Sequence, residues 1–159
     1  MAYYFAYGSN LSQTRLETER LKPEGCALLS RRLGRLDGYQ LKFNKPSAYF
    51  IGAGACNIEK HPTATIYGTL NEIPEAGLRI LDKYENVALG QYERLRVSVY
   101  DVDNGKMIDA VTYIAHNNLG NNLQPRSGYM AYLLDGQDVL PPAYVASLKT
   151  IPLCPEIVE

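Results

Sequence analysis

A chain of 159 residues that is 46% hydrophobic and 21% charged is long enough to bury a core, and one globular domain over residues 1–159 accounts for it. A net charge of −1, with signs interspersed and only Arg31, Arg32 and Arg35 clustered, gives no footprint for nucleic acid and leaves a small molecule as the expected partner. Three scattered cysteines, Cys26, Cys56 and Cys154, and two distant histidines, His61 and His116, offer neither zinc spacing nor a nucleophile–histidine pair, so no metal or cofactor is expected.

In chain order, Tyr3-Tyr4-Phe5-Ala6-Tyr7 reads as a buried strand, and Gly8-Ser9-Asn10 breaks it with residues suited to a tight turn or a helix cap. Asn10 and Gln13 have capping-box spacing, which predicts a helix over Leu11 to Leu21 with Leu11, Leu16 and Leu21 as its apolar residues. A strand turning into a helix N-terminus leaves backbone N–H groups aimed at one spot, where they can bind a carboxylate or a developing oxyanion. The same unit is also an ordinary supersecondary element, and one glycine supplies no nucleotide-binding pattern.

Residues Cys26 to Asn44, where short apolar runs alternate with Arg, Gly and Asp as in Leu36-Asp37-Gly38-Tyr39, read as strand, turn, strand. Pro46 to Pro62, rich in Gly, Ala and Pro, reads as a loop, although Gly52-Ala53-Gly54-Ala55 also admits a close backbone or ligand approach. Ala64 to Glu72 reads as a strand, with Gly68 at a bulge or close contact.

Pro74 to Tyr84 is the best helix, with Leu78, Leu81 and Tyr84 as its core stripe. Glu85 continues that stripe, seven residues after Leu78 and four after Leu81. A carboxylate there must be paired, hydrogen-bonded or useful, unless the helix ends first; Arg94 and Arg96 are candidate ion partners. Asn86 suits the left-handed residue that ends a helix.

Arg94 to Val99 alternates polar and apolar, Asp103-Asn104-Gly105 offers a primed turn, and Met107 to Ala115 returns as the second arm of a hairpin. Gly120 to Gly128 is a polar loop, followed by helices over Tyr129 to Leu134 and Pro142 to Leu148. Many strands and few helices predict an α+β fold around an antiparallel or mixed sheet. Thirteen tyrosines against three phenylalanines suit a wet pocket. The absence of a leader pattern or a membrane-length apolar run sets a reducing, cytoplasmic address and no membrane partner as the expectation.

Together, Tyr7-Gly8-Ser9-Asn10-Leu11, Leu81-Asp82-Lys83-Tyr84-Glu85-Asn86-Val87 and Gly90-Gln91-Tyr92 resemble the γ-glutamylcyclotransferase family in its AIG2-like group. Pro125 to Tyr129 resembles the family's proline loop ending in a substrate-contacting tyrosine, and Tyr144 to Pro152 its closing helix. Asn86 stands where the family has Gly, a departure that Asn tolerates at positive φ.

The resemblance implies a small mixed-strand β-barrel flanked by a few helices, without a cofactor, in some members a homodimer. It implies that a γ-glutamyl amide is cleaved by its own α-amine to give 5-oxoproline and a free amino acid or amine. The proton acceptor would fall on Glu85, and substrate contacts on Tyr4, Phe5, Ala6, Tyr7, Gly8, Ser9, Asn10, Tyr92 and Tyr129. The γ-glutamyl substrate could be a dipeptide, an amine or a tagged biosynthetic intermediate, and a non-catalytic small-ligand binding domain of the same fold is the alternative of a different class.

Overall fold

The computed structural model describes residues 1–155. Five strands close into a barrel in the order β1-β3-β2-β4-β5, with β1 Ala2–Ala6, β2 Ser30–Pro46, β3 Gly54–Ile73, β4 Glu93–Asp101 and β5 Lys106–Ile114. Four pairings are antiparallel, and the short parallel contact of Tyr4 with Val111 closes the cylinder, so the sheet is mixed. Three α-helices flank it: α1 Glu75–Tyr84, α2 Ser127–Leu134 and α3 Pro142–Lys149.

Strand length accounts for most departures from the expected elements. Asp37-Gly38 is no turn between strands, because β2 runs on through it with a register shift between Asp37 and Tyr39. Gly38 takes φ +85 there, and β3 bulges opposite it over residues 61–64. The glycine and proline that signal a loop thus mark an irregularity within two long paired strands, and Gly54 to Pro62 belongs to β3 rather than to a loop. The β4–β5 turn is also not primed, since Gly105 has positive φ and neither Asp103 nor Asn104 does.

Gly68 is the close contact expected of it. It pairs with Gly34 across β2 and β3, and a Cβ on Gly68 would lie 2.2 Å from the Ala6 carbonyl and 2.8 Å from the Phe5 ring. Two facing glycines therefore let the ring of Phe5 fill the barrel, where it is fully buried beside Leu70, Ile66 and Val99. A second apolar cluster, with Leu16, Leu21, Ile73, Leu78 and Leu81, fastens α1 and the N-terminal helical segment to the barrel's outside.

That N-terminal segment is not the predicted α-helix. Ser9–Leu11 forms a single 3₁₀ turn, and Thr14–Leu21 winds as a π-helix whose last bond runs from Lys22 N–H to Glu17 O. Asn10 caps nothing; its Nδ2 donates to the Tyr4 hydroxyl at 3.0 Å, and Ser12 Oγ instead accepts the Arg15 amide at 3.3 Å. In an α-helix, with about 3.6 residues per turn, side chains five apart point to nearly opposite sides. Bonds from i to i+5 bring such residues under one another. Leu11, Leu16 and Leu21, all fully buried, follow that five-residue repeat, and so do Arg15 and Arg20.

Candidate active site

β1 delivers the chain into the Gly8-Ser9-Asn10 turn, and α1 delivers Glu85, its C-terminal cap; the two meet at one cavity of about 170 Å³. Within the turn the Leu11 amide returns to the Gly8 carbonyl at 3.0 Å. The Ser9 and Asn10 amides stand at the start of a helical turn and have no intrahelical acceptor. Gly8 is closely packed, since a Cβ there would sit 3.0 Å from Cys56 Cβ and 3.3 Å from the Tyr129 hydroxyl.

The helix ends just before Glu85, whose amide still bonds to the Leu81 carbonyl at 2.9 Å. Asn86 then takes the left-handed conformation, φ 51, that its identity suggested. The stripe expectation holds for Leu78 and Leu81, which are buried, and fails for Tyr84, which is 42% exposed with Arg20 stacked on its ring at 4.8 Å. Arg94 is committed elsewhere, to Asp82, and the cation nearest Glu85 is Arg20.

The Glu85 side chain is only 19% exposed, and Arg20 Nη1 stands 3.6 Å from its Oε1, too far for a hydrogen bond. Burial pushes the Glu85 pKa above its ordinary value of 4.5, and the positive charges of Arg20 and Arg15 only partly oppose the rise. Burial lowers the pKa of Arg20 in turn, helped by the like charge of Arg15.

Two atoms on the cavity's residues are buried with no hydrogen-bond partner among the described residues: the donor Arg20 Nη1 and the acceptor Asn10 Oδ1. Unsatisfied buried polar atoms are uncommon, and here one of each kind belongs to a residue that lines the same cavity as Glu85.

The structure gathers Tyr4, Tyr7, Gly8, Ser9, Asn10, Glu85, Tyr92 and Tyr129 around this cavity. Phe5 and Ala6 are not brought to it; both are fully buried, one in each apolar cluster, as strand alternation requires. The tyrosine hydroxyls are largely engaged. Tyr92 donates to the Cys56 carbonyl at 2.8 Å, Tyr129 accepts the Cys56 amide at 2.9 Å, and Tyr7 donates to the Tyr113 carbonyl at 2.5 Å. Burial raises the pKa of Tyr7, Tyr92 and Tyr129 well above the ordinary value, and pushes the Cys56 thiol up to about 12, so none supplies an anion near neutrality.

Arg20 and Arg15 were not singled out by sequence reasoning. The available signal was the five-residue spacing of the leucines, which α-helical periodicity does not accommodate. No group of acidic, histidine or cysteine side chains suited to a metal ion occurs among the described residues, and none of their helices is long and apolar enough to cross a membrane.

The sequence model of the AIG2-like family matches residues 65–148. Comparison with curated protein sequences returns no match. Among solved structures, a γ-glutamyl cyclotransferase is similar with TM-score 0.84 and 26% identity, over 99% of this chain and 92% of that one. An uncharacterised human protein gives TM-score 0.83 and 25% identity over the same shares. A yeast γ-glutamyl cyclotransferase specific to glutathione shares the fold at TM-score 0.61 and 12% identity, over 92% of this chain and 93% of that one.

Proposed function

The chain belongs to the AIG2-like family, and on that premise we propose that it is a γ-glutamylcyclotransferase in which Glu85 carries the proton between the two nitrogens. The observation that carries this reading is the desolvated Glu85 carboxylate beside one unsatisfied buried donor and one unsatisfied buried acceptor. An α-amino acid head group is a matching pair. Its carboxylate suits the Arg20 guanidinium and its amine the Asn10 side-chain carbonyl oxygen, both residues lining the cavity that Glu85 lines.

Charge complementarity supports the same assignment. Arg15 and Arg20 offer positive charge to the substrate α-carboxylate, and Glu85 offers negative charge to its α-ammonium. With Arg20 holding the carboxylate, the Ser9 and Asn10 amides are left for the oxyanion that forms on the γ-carbonyl oxygen.

In the reaction the α-nitrogen forms a bond to the γ-carbonyl carbon, closing a five-membered ring, and the bond from that carbon to the leaving nitrogen breaks. The nucleophile is tethered to its electrophile, so holding one conformer supplies much of the advantage and no serine, cysteine or metal need attack. The α-ammonium must lose a proton and the leaving nitrogen must gain one. Glu85 takes the first and returns the second, a task favoured by a pKa raised toward neutrality. The products are 5-oxoproline and a free amine.

Capping the substrate's α-amine with an acetyl group is expected to stop turnover, since the nucleophile is then an amide. Release of N-acetylglutamate from that substrate would show hydrolysis and overturn the cyclisation reading.

A further inference from the structure

The inner cavity opens outward past Arg15, Ala55, Glu85, Tyr92 and Tyr129, which also wall a second chamber of about 720 Å³. Glu85 is one of the residues the two share. A γ-glutamyl amide with its head group inside would therefore place its leaving nitrogen beside Glu85 and its leaving group in the outer chamber.

Two kinds of side chain dominate that chamber. Aromatic rings stand around its mouth, Tyr49, Phe50, Tyr84 and Tyr132 among them. Its cations are the other kind. Arg31, Arg32, Arg35 and Arg94 each meet an aspartate. Among the described residues Arg15, Lys45 and Arg126 meet none, and of these Lys45 is set apart from the equally unpaired but exposed Arg79 and Arg96 by its burial. Arg126 lies 3.5 Å from the Phe50 ring centre, and Arg15 lies 4.3 Å from that of Tyr132. The Lys45 ammonium bonds only to the Asn117 carbonyl, at 3.1 Å.

Lys45 is 6% exposed. Its stem is buried while the ammonium, 5.9 Å from the Tyr92 ring centre, has no counter-ion among the described residues, and partial burial lowers its pKa. A cation without a counter-ion, lining a chamber that shares Glu85 with the reaction site, points to an anionic ligand group. The aromatic rings lining the same chamber point to a flat apolar one.

Resting on the cyclotransferase reading, we propose that the outer chamber is the leaving-group subsite and selects amines bearing both a carboxylate and an aromatic side chain: γ-glutamyl derivatives of aromatic amino acids. The carboxylate lies on Lys45 and Arg126, and the ring stacks among Phe50, Tyr84 and Tyr132.

Four substrates test this, with 5-oxoproline release giving kcat/KM: γ-glutamyl-phenylalanine, γ-glutamyl-alanine, γ-glutamyl-phenethylamide and γ-glutamyl-ethylamide. The first is expected to be best, with deletion of either the ring or the carboxylate costing about tenfold or more. Lys45→Met is expected to penalise the two carboxylate-bearing substrates about tenfold more than the two amides. If that variant lowers all four equally, Arg126→Gln decides by the same criterion.

Four substrates within about threefold of one another, or a preference for the amides, would overturn the proposal while leaving the cyclotransferase reading intact. No 5-oxoproline from any of them would overturn that reading, and this inference with it. A dimer that Tyr49→Ser converts to monomer with the substrate ranking unchanged would assign the rings to a subunit contact and overturn the proposal as well.

Discussion

The two sides of the C-terminal end of α1 each bring an acid to an arginine, on opposite terms. On one side Asp82 is gripped by Arg94 through two bonds, Nε to Oδ1 at 2.8 Å and Nη2 to Oδ2 at 2.6 Å, and accepts the Tyr113 hydroxyl at 2.7 Å. Burial alone would raise its pKa, but the bonds from Arg94 and Tyr113 outweigh it and hold the carboxyl below the ordinary range. Three residues on, Glu85 is more deeply buried, has Arg20 near but not bonded, and has its pKa raised. An ion pair completed by hydrogen bonds serves the fold, whereas an acid whose neighbouring cation stays beyond hydrogen-bond distance is held ready for a ligand.

Glu85→Gln should break the comparison most sharply. The variant keeps the shape and loses the proton carrier, so 5-oxoproline release should fall by about 10²- to 10⁴-fold while a non-reactive substrate analogue still binds. Its stability should move the other way. A raised folded pKa means that the native state holds the proton more tightly than the unfolded chain; its stabilising contribution is full below 4.5 and is lost as pH rises through the folded value. The Gln variant should therefore melt higher than the parent at neutral pH, and the gap should close on acidification.

Arg20→Ala should cost about 10- to 100-fold in kcat/KM on a γ-glutamyl dipeptide, chiefly through KM, because a charged hydrogen bond to the α-carboxylate is lost. A 4-aminobutanoyl amide keeps the attacking amine and the scissile carbonyl but lacks that carboxylate, so its much lower rate should fall far less. The acid limb of the pH–rate profile, set by ionisation of Glu85 above 4.5, should move further upward once the opposing positive charge is gone. A merely structural Arg20 would lower both substrates together.

Asp82→Asn is the smallest break. The pair is partly exposed, Asp82 at 25% and Arg94 at 40%, so its loss should cost no more than about 1 kcal/mol, or about 2–4 °C in Tm. Turnover should be unchanged. The cost should be present at neutral pH and vanish as pH falls through the depressed pKa of Asp82, the reverse of the Glu85 variant.

What could be read from the chain follows the same division between local and long-range causes. Glu85 was legible because it extends a stripe of buried leucines where a solvated acid does not belong, and Asn86 because few residues accept positive φ. Gly68 was legible as a position that admits a close contact. Gly38 was misread as a turn because a glycine that ends a strand and one that bulges within it look alike until the partner strand is known.

Arg20 was out of reach for a different reason. An α-helical period sends it away from Arg15, and only π winding, set by how Leu16 and Leu21 pack against the barrel, turns both arginines to the same cavity. The outer chamber draws on residues 45–55, 84–92 and 126–132, distant segments whose meeting no local pattern encodes.

The account stands most directly on the products of γ-glutamyl-phenylalanine in ¹⁸O-labelled water, compared for the parent chain and Glu85→Gln by mass spectrometry. Cyclisation through Glu85 predicts unlabelled 5-oxoproline from the parent and essentially none from the variant. Labelled glutamate from the parent, or equal 5-oxoproline from both, would contradict it.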